Sequence, residues 1–147
     1  MGRQDYGGGV HMTRDQIVAK WNGMTPRERN AWVAEVVMGW RRVSRPGGGG
    51  GYIGWENADG RIVAIESDCT MSTGPQDWFR PSQDVRSAWT VFEHMNKTHW
   101  ISIMRIAETS NVTGNYVAEC GGNSAGSNSA SEAICLAAII AKLTDTV

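Results

Sequence analysis

The sequence predicts an α+β fold: a single domain in which an antiparallel sheet is layered between helices, an α-β-α sandwich. Three observations lead there. Helix-opening signals stand at Thr13, Thr25 and Ser129. Short β-branched and aromatic segments come in pairs separated by turn residues, the pattern of antiparallel hairpins. A chain of 147 residues, 41% of them hydrophobic, is long enough for one core and too short for two of ordinary size.

Residues 1–12 contain a Gly-Gly-Gly run and no apolar period, which predicts a flexible extension ahead of a domain spanning 13–147. Thr13 with Gln16 forms a capping box, and Ile17, Val18 and Trp21 share one helical face, so the first helix runs from residue 13 to about 22 and stops at Gly23. Thr25-Pro26-Arg27-Glu28 opens a second helix, with proline at the first helical position and a reciprocal glutamate. Its stripe of Trp32, Val33, Val36 and Val37 ends before Gly39, with Arg27, Arg29, Asn30 and Glu35 largely off it. Such a helix lies on a sheet.

Arg41, Arg42 and Arg45 lead into Pro46 and five glycines, Gly47 to Gly51; residues 46–51 read as a surface loop with no side chains to pack. Strands follow at residues 52–55 and 61–66, joined by Asn57-Ala58-Asp59-Gly60, where Asp-Gly marks a hairpin. After an irregular polar stretch at 67–76, Pro81-Ser82 starts a third helix. Ser82 is its expected N-cap, Asp84 lies in its first turn, and Val85, Ala88, Trp89 and Phe92 form its apolar face. Strands at 100–106 and 115–120 bring the sheet to at least four. Residues 121–130 read as a Gly/Ser/Asn loop leading through Ser129 and Glu132 into a last helix, 130 to about 143. That helix is apolar on nearly all sides, which requires a second covering surface beyond the sheet; a neighbouring subunit is the expected one.

Composition narrows function. A formal net charge of −1 lacks the basic excess that coats duplex nucleic acid. The longest apolar run, residues 133–141, is too short to span a bilayer, and no signal-peptide core opens the chain, so a cytoplasmic protein is expected. Cys69, Cys120 and Cys135 have no CxxC spacing and read as structural, Cys135 within an apolar helix pattern. The histidines, His11, His94 and His99, are accompanied by no HExxH, and no GxSxG or phosphate-loop motif occurs, so neither a metal nor another cofactor is expected and catalysis has little to stand on.

Binding has more. Trp78-Phe79-Arg80-Pro81-Ser82 places aromatic faces and a guanidinium before a helix start, which suits a base and a phosphate side by side; alternatively Trp78 and Phe79 pin the loop to the core. Arg105, alternating with Ile101 and Ile103, projects from one sheet face or an edge, as a phosphate clamp or a solvated arginine. Arg41 and Arg42 add charge that a helix C-terminus would also favour. In the Gly121–Asn128 segment, Asn123 and Ser124 lie where backbone N–H groups ahead of a helix can meet a phosphate, or form an ordinary connection.

The segments TRDQIVAKWNGMTPRERNAWVAEVVMGW, WFRPSQDVRSAWTVFEHM and EAICLAAIIAKL resemble the phage and prophage ABA-sandwich domains, a family that includes viral inhibitors of the bacterial Thoeris immune system. The resemblance implies a signal sponge, resembling Thoeris anti-defence 1 proteins. Such proteins bind glycocyclic ADP-ribose without cleaving it, some relatives also taking CBASS cyclic oligonucleotides, and they assemble as dimers and often hexamers in the infected bacterial cytoplasm. Carried onto this chain it implies stacking and arginine clamping at a subunit junction, with Trp78, Phe79, Arg80 and Arg105 as the groups that can supply them. The alternatives are a protein–protein inhibitor acting through a tryptophan-rich surface and, after it, a cyclic-nucleotide phosphodiesterase.

Overall fold

A computed structural model of the chain describes residues 12–45, 52–65, 79–106 and 115–144. The N-terminal extension up to residue 11, the glycine loop, Cys69 and Trp78 lie outside the described residues. The elements follow in the order α1 (Arg14–Asn22), α2 (Pro26–Trp32), β1 (Arg41–Arg45), β2 (Tyr52–Glu56), β3 (Ile62–Ile65), α3 (Val85–Asn96), β4 (Ile101–Arg105), β5 (Tyr116–Cys120), β6 (Asn123–Ser127) and α4 (Ala130–Thr144).

Local chemistry sets the first two helices as the sequence predicts. Thr13 Oγ1 accepts from the Gln16 amide at 3.2 Å while Gln16 Oε1 accepts from the Thr13 amide at 2.9 Å, and Thr25 with Glu28 repeats the arrangement at the same two distances. Each box satisfies two amides that a helix start would leave unpaired. Beyond Trp32, α2 widens into one π-helical turn, Val33–Val37, in which the Met38 amide reaches back to the Val33 carbonyl at 3.2 Å. Gly39, at φ +73°, then releases the chain into β1. Asn30, expected off the apolar stripe, is buried.

The strands form two sheets, not the single sheet of four or more that hairpin counting suggested. One has the order β1-β2-β3 and the other β4-β5-β6, both antiparallel. Each gained an unanticipated strand. β1 reads RRVSR, with a single apolar residue, so its pattern carries no strand signal; pairing with β2 makes it one. β6 replaces the expected Gly/Ser/Asn loop: Gly121 and Gly122, at φ +59° and +87°, turn the chain in two residues and bring Asn123 opposite Cys120. In the first sheet, Asn57 Oδ1 accepts from the Asp59 and Arg61 amides at 2.9 and 3.1 Å and Gly60 takes φ +81°, the hairpin the sequence called for.

Two expectations about helices change. Asp84, not Ser82, caps α3, its carboxylate accepting from the Arg86 amide at 3.3 Å. The face α3 buries is Ala88, Val91 and Met95, while Val85 and Trp89 point outward. Likewise, α4 is buried from Ser131 to Ala141 apart from half-buried Glu132, but the second surface is intramolecular: β5 and β6 cover one side, and α1, α3 and the π-turn the other. One core cluster joins Ile17, Trp21, Val33, Trp55, Val91, Ala118 and Ile139, which makes this a single α+β domain organised around α4.

Candidate functional site

The register of the second sheet aligns Arg105, Tyr116 and Ser127 across three strands. Side chains alternate between faces, so this row shares its face with Ile103, Ala118 and Ala125, the row next to it, of which Ala118 and Ala125 are fully buried. The row therefore lies at the rim of the surface that α4 covers, and Arg105 at its end is exposed. Ser127 stands three residues before α4, and its hydroxyl donates to Glu132 Oε1 at 2.7 Å.

Around the start of α4 the polar groups interlock. Ser129 Oγ accepts from the Glu132 amide at 3.0 Å, half of the capping box. The reciprocal half is diverted: Glu132 instead takes Ser127 on one oxygen and Arg29 Nη1, at 3.2 Å, on the other. Arg29 Nε donates to the Trp21 carbonyl at 2.9 Å while its guanidinium lies 4.8 Å from the centre of the Trp21 ring. Arg29 thus offsets the Glu132 charge and ties α2 to α4. What remains is a rim with a guanidinium, a phenol and a hydroxyl beside the positive end of a fifteen-residue helix, chemistry that suits an anionic, planar ligand.

The sequence-predicted site residues separate. Arg105 belongs to this rim. Phe79 is buried and packs edge-on against Trp40, ring centres 4.8 Å apart, which is the core-pinning alternative. Arg80 is half-buried in the turn that precedes α3, where its amide donates to Ser87 Oγ at 3.1 Å. Ser82 is buried, and both its amide and its hydroxyl donate to Asn30 Oδ1. Asn123 and Ser124 sit at the turn end of β6, across the strand from α4's start, and the Ser124 carbonyl accepts from Arg14 Nη2 at 2.8 Å. The rationale that placed them at a helix N-terminus does not hold, because the intervening residues form a strand. Arg41 pairs with the buried carboxylate of Glu56 on the neighbouring strand, so it is no helix-terminal cation.

Sequence reasoning missed Tyr116, Ser127 and Arg29. Arg29 stands four residues before Val33 on a predicted helix, with no hint of its partner a hundred residues away, and Tyr116 becomes a neighbour of Arg105 only through strand register.

Among the described residues three titratable groups are shifted. Burial, then the charges of Lys97 and Lys142, holds the His94 imidazolium below its ordinary range, against a hydrogen bond to the Val37 backbone. Burial pushes the Cys120 thiol up to about 11, Lys142 opposing, and pushes Cys135 well above its usual value, helped by Glu132. Among the described residues no cluster of three His, Cys, Asp or Glu could hold a metal ion, and no helix is long and apolar enough to cross a membrane.

A family model described as the phage ABA sandwich domain matches residues 31–139. The chain belongs to the phage ABA sandwich domain family. That span runs from the last two residues of α2 into the last turns of α4, so both sheets, α3 and the Arg105–Tyr116–Ser127 rim of this ABA sandwich protein fall inside it, while Arg29 stands just before it. No curated protein and no solved structure matches the chain.

Proposed function

We propose that this phage ABA sandwich protein captures a cyclic nucleotide immune signal, glycocyclic ADP-ribose first and CBASS cyclic oligonucleotides second, and holds it without cleaving it. The observation that carries the reading is the rim on which Arg105, Tyr116 and Ser127 share one row beside the start of α4. A guanidinium and a helix N-terminus meet phosphate oxygens, and a phenol ring offers a face to a base or ribose. Capture needs only such preorganised donors and surfaces; no group has to move a proton or attack. Membership in a phage family agrees with a role against host signalling.

The test mixes purified protein with glycocyclic ADP-ribose and with cyclic di- and trinucleotides, follows the melting temperature, then denatures the complex and analyses the released ligand by mass. A ligand at a hundredfold its dissociation constant adds about 2.7 kcal/mol of stability. A shift with intact ligand recovered supports capture. A shift with cleaved ligand points to a phosphodiesterase, and no shift with any nucleotide removes the reading in favour of a protein–protein inhibitor.

A further inference from the structure

The fold fixes the direction of hydrogen bonding at Ser127. Its hydroxyl has a single proton, and that proton is committed to Glu132 Oε1 at 2.7 Å. A carboxylate only accepts, so the bond cannot run the other way. Glu132 is itself held in place: Oε2 takes Arg29 Nη1 at 3.2 Å, its amide donates to Ser129 Oγ at 3.0 Å, and Arg29 Nε is anchored on the Trp21 carbonyl at 2.9 Å. The half-buried Ser127 oxygen therefore offers a ligand lone pairs alone, one of them already approached by the Ser129 amide at 3.5 Å. Arg105, two strands and about 10 Å along the same row, has only protons to give.

We propose that Ser127 reads a hydrogen-bond donor on the captured nucleotide, a ribose hydroxyl or an exocyclic base amine, and that Glu132 sets this polarity from behind. The inference rests on the capture reading of the rim and adds to it which chemical groups of the nucleotide are selected. The row has unlike ends. At Arg105, donors meet phosphate oxygens; at Ser127, a phosphate oxygen would meet lone pairs backed by a carboxylate, which is repulsive. A nucleotide supplies both kinds of group, since its phosphate oxygens accept while its ribose and its base carry O–H and N–H donors. Seated with a phosphate toward Arg105 and a donor toward Ser127, it is complementary along the whole row, and the reversed orientation is mismatched at both ends. A nucleotide lacking the donor leaves the Ser127 lone pair covered and unpaired, which is how a polar site rejects an analogue of nearly the same shape. Ser127 is thus a specificity-determining residue and Glu132, acting through it, a positioning residue.

Calorimetric titration of the full chain with cyclic di-AMP, its 2′-deoxy counterpart and an analogue with unsubstituted purine in place of adenine separates the two sources of the donor. An affinity about tenfold or more lower for the deoxy compound assigns the ribose hydroxyl, and the same loss for the purine compound assigns the base amine. Ser127→Ala is expected to bind cyclic di-AMP about tenfold more weakly and to abolish whichever preference the wild type shows. Glu132→Gln, whose amide N–H can turn toward Ser127 and release its proton, is expected to shrink that preference. The ratio of affinities is the decisive readout, because general damage to the rim weakens all three compounds alike; circular dichroism checks that both variants fold. Equal wild-type affinity for the three compounds, or a preference that survives Ser127→Ala, would overturn the inference and leave capture standing. If none of the three binds, the inference also fails, and glycocyclic ADP-ribose then decides capture by itself: a melting shift keeps that reading, and no shift removes both.

Discussion

Ser82 and Asn30 meet in the interior, where one amide oxygen serves two donors. Asn30 Oδ1 accepts from the Ser82 hydroxyl at 2.7 Å and from its backbone amide at 2.9 Å, and Asn30 Nδ2 donates to Gln83 Oε1 at 3.0 Å. The contact pins the turn before α3 onto the side of α2, across more than fifty residues of sequence. Removing the acceptor strands the buried Ser82 amide and leaves the Ser82 hydroxyl only the Pro26 carbonyl at 3.4 Å, so Asn30→Ala is expected to destabilise the domain by about 2–3 kcal/mol, whereas Ser82→Ala, which removes one donor and keeps the amide bond, is expected to cost about 1 kcal/mol. Urea titration of both variants decides it; equal losses would refute the shared-acceptor account.

Stability is expected to fall on acidification. The folded His94 pKa lies below its ordinary value of 6.5, so the unfolded chain binds the proton more readily. The stabilising contribution is complete above pH 6.5 and is lost as pH falls through the folded value. His94→Gln, which keeps a side-chain donor for the Val37 backbone, should flatten that part of the stability profile. A variant whose slope between neutral and mildly acidic pH matches wild type would show that other groups set it.

The glycine turn between β5 and β6 is asymmetric. Both glycines have positive φ, but a Cβ on Gly121 would sit 2.8 Å from Cδ2 of His99, whose Nδ1 is engaged with Thr98 Oγ1 at 2.8 Å, while a Cβ on Gly122 would meet nothing within 4 Å. Gly122→Ala is expected to cost about 1 kcal/mol of backbone strain and Gly121→Ala measurably more. Adding His99→Ala should return most of the difference; a double mutant no more stable than Gly121→Ala would exclude the steric cause.

Cys120 and Cys135 should resist alkylation in the native protein at neutral pH, since both are fully buried and both thiols are held well above neutrality. Mass analysis after iodoacetamide treatment is expected to show neither modified until denaturant is added. Rapid native labelling of Cys135 would mean that α4 opens far more readily than its burial implies.

Arg105→Ala is expected to weaken capture of the nucleotide by a few kcal/mol while leaving the ligand-free melting temperature close to wild type, because the side chain is exposed. Calorimetric titration with the ligand found by the melting screen checks it. Unchanged affinity would move the site away from this rim.

How far the sequence reached can be traced element by element. Capping boxes, the Asp59-Gly60 turn and the α4 pattern were legible because each is a contact between residues a few positions apart, and these alone set α1, α2, the β2–β3 hairpin, the last helix and the α+β class. Arg105 could be named as a strand residue from the apolar pattern of its segment, while its exposure follows from its place at the end of β4. What needed the folded chain was everything that depends on distant partners. RRVSR became a strand only by pairing with β2, and NSAGS only by pairing with β5. Trp89 turned outward because the opposite stripe of α3 won the core, Phe79 turned inward against Trp40, and Tyr116 and Ser127 reached Arg105 through register. Local hydrogen bonds are written in the spacing of residues, whereas the choice of which face to bury is a competition among surfaces that no single segment contains.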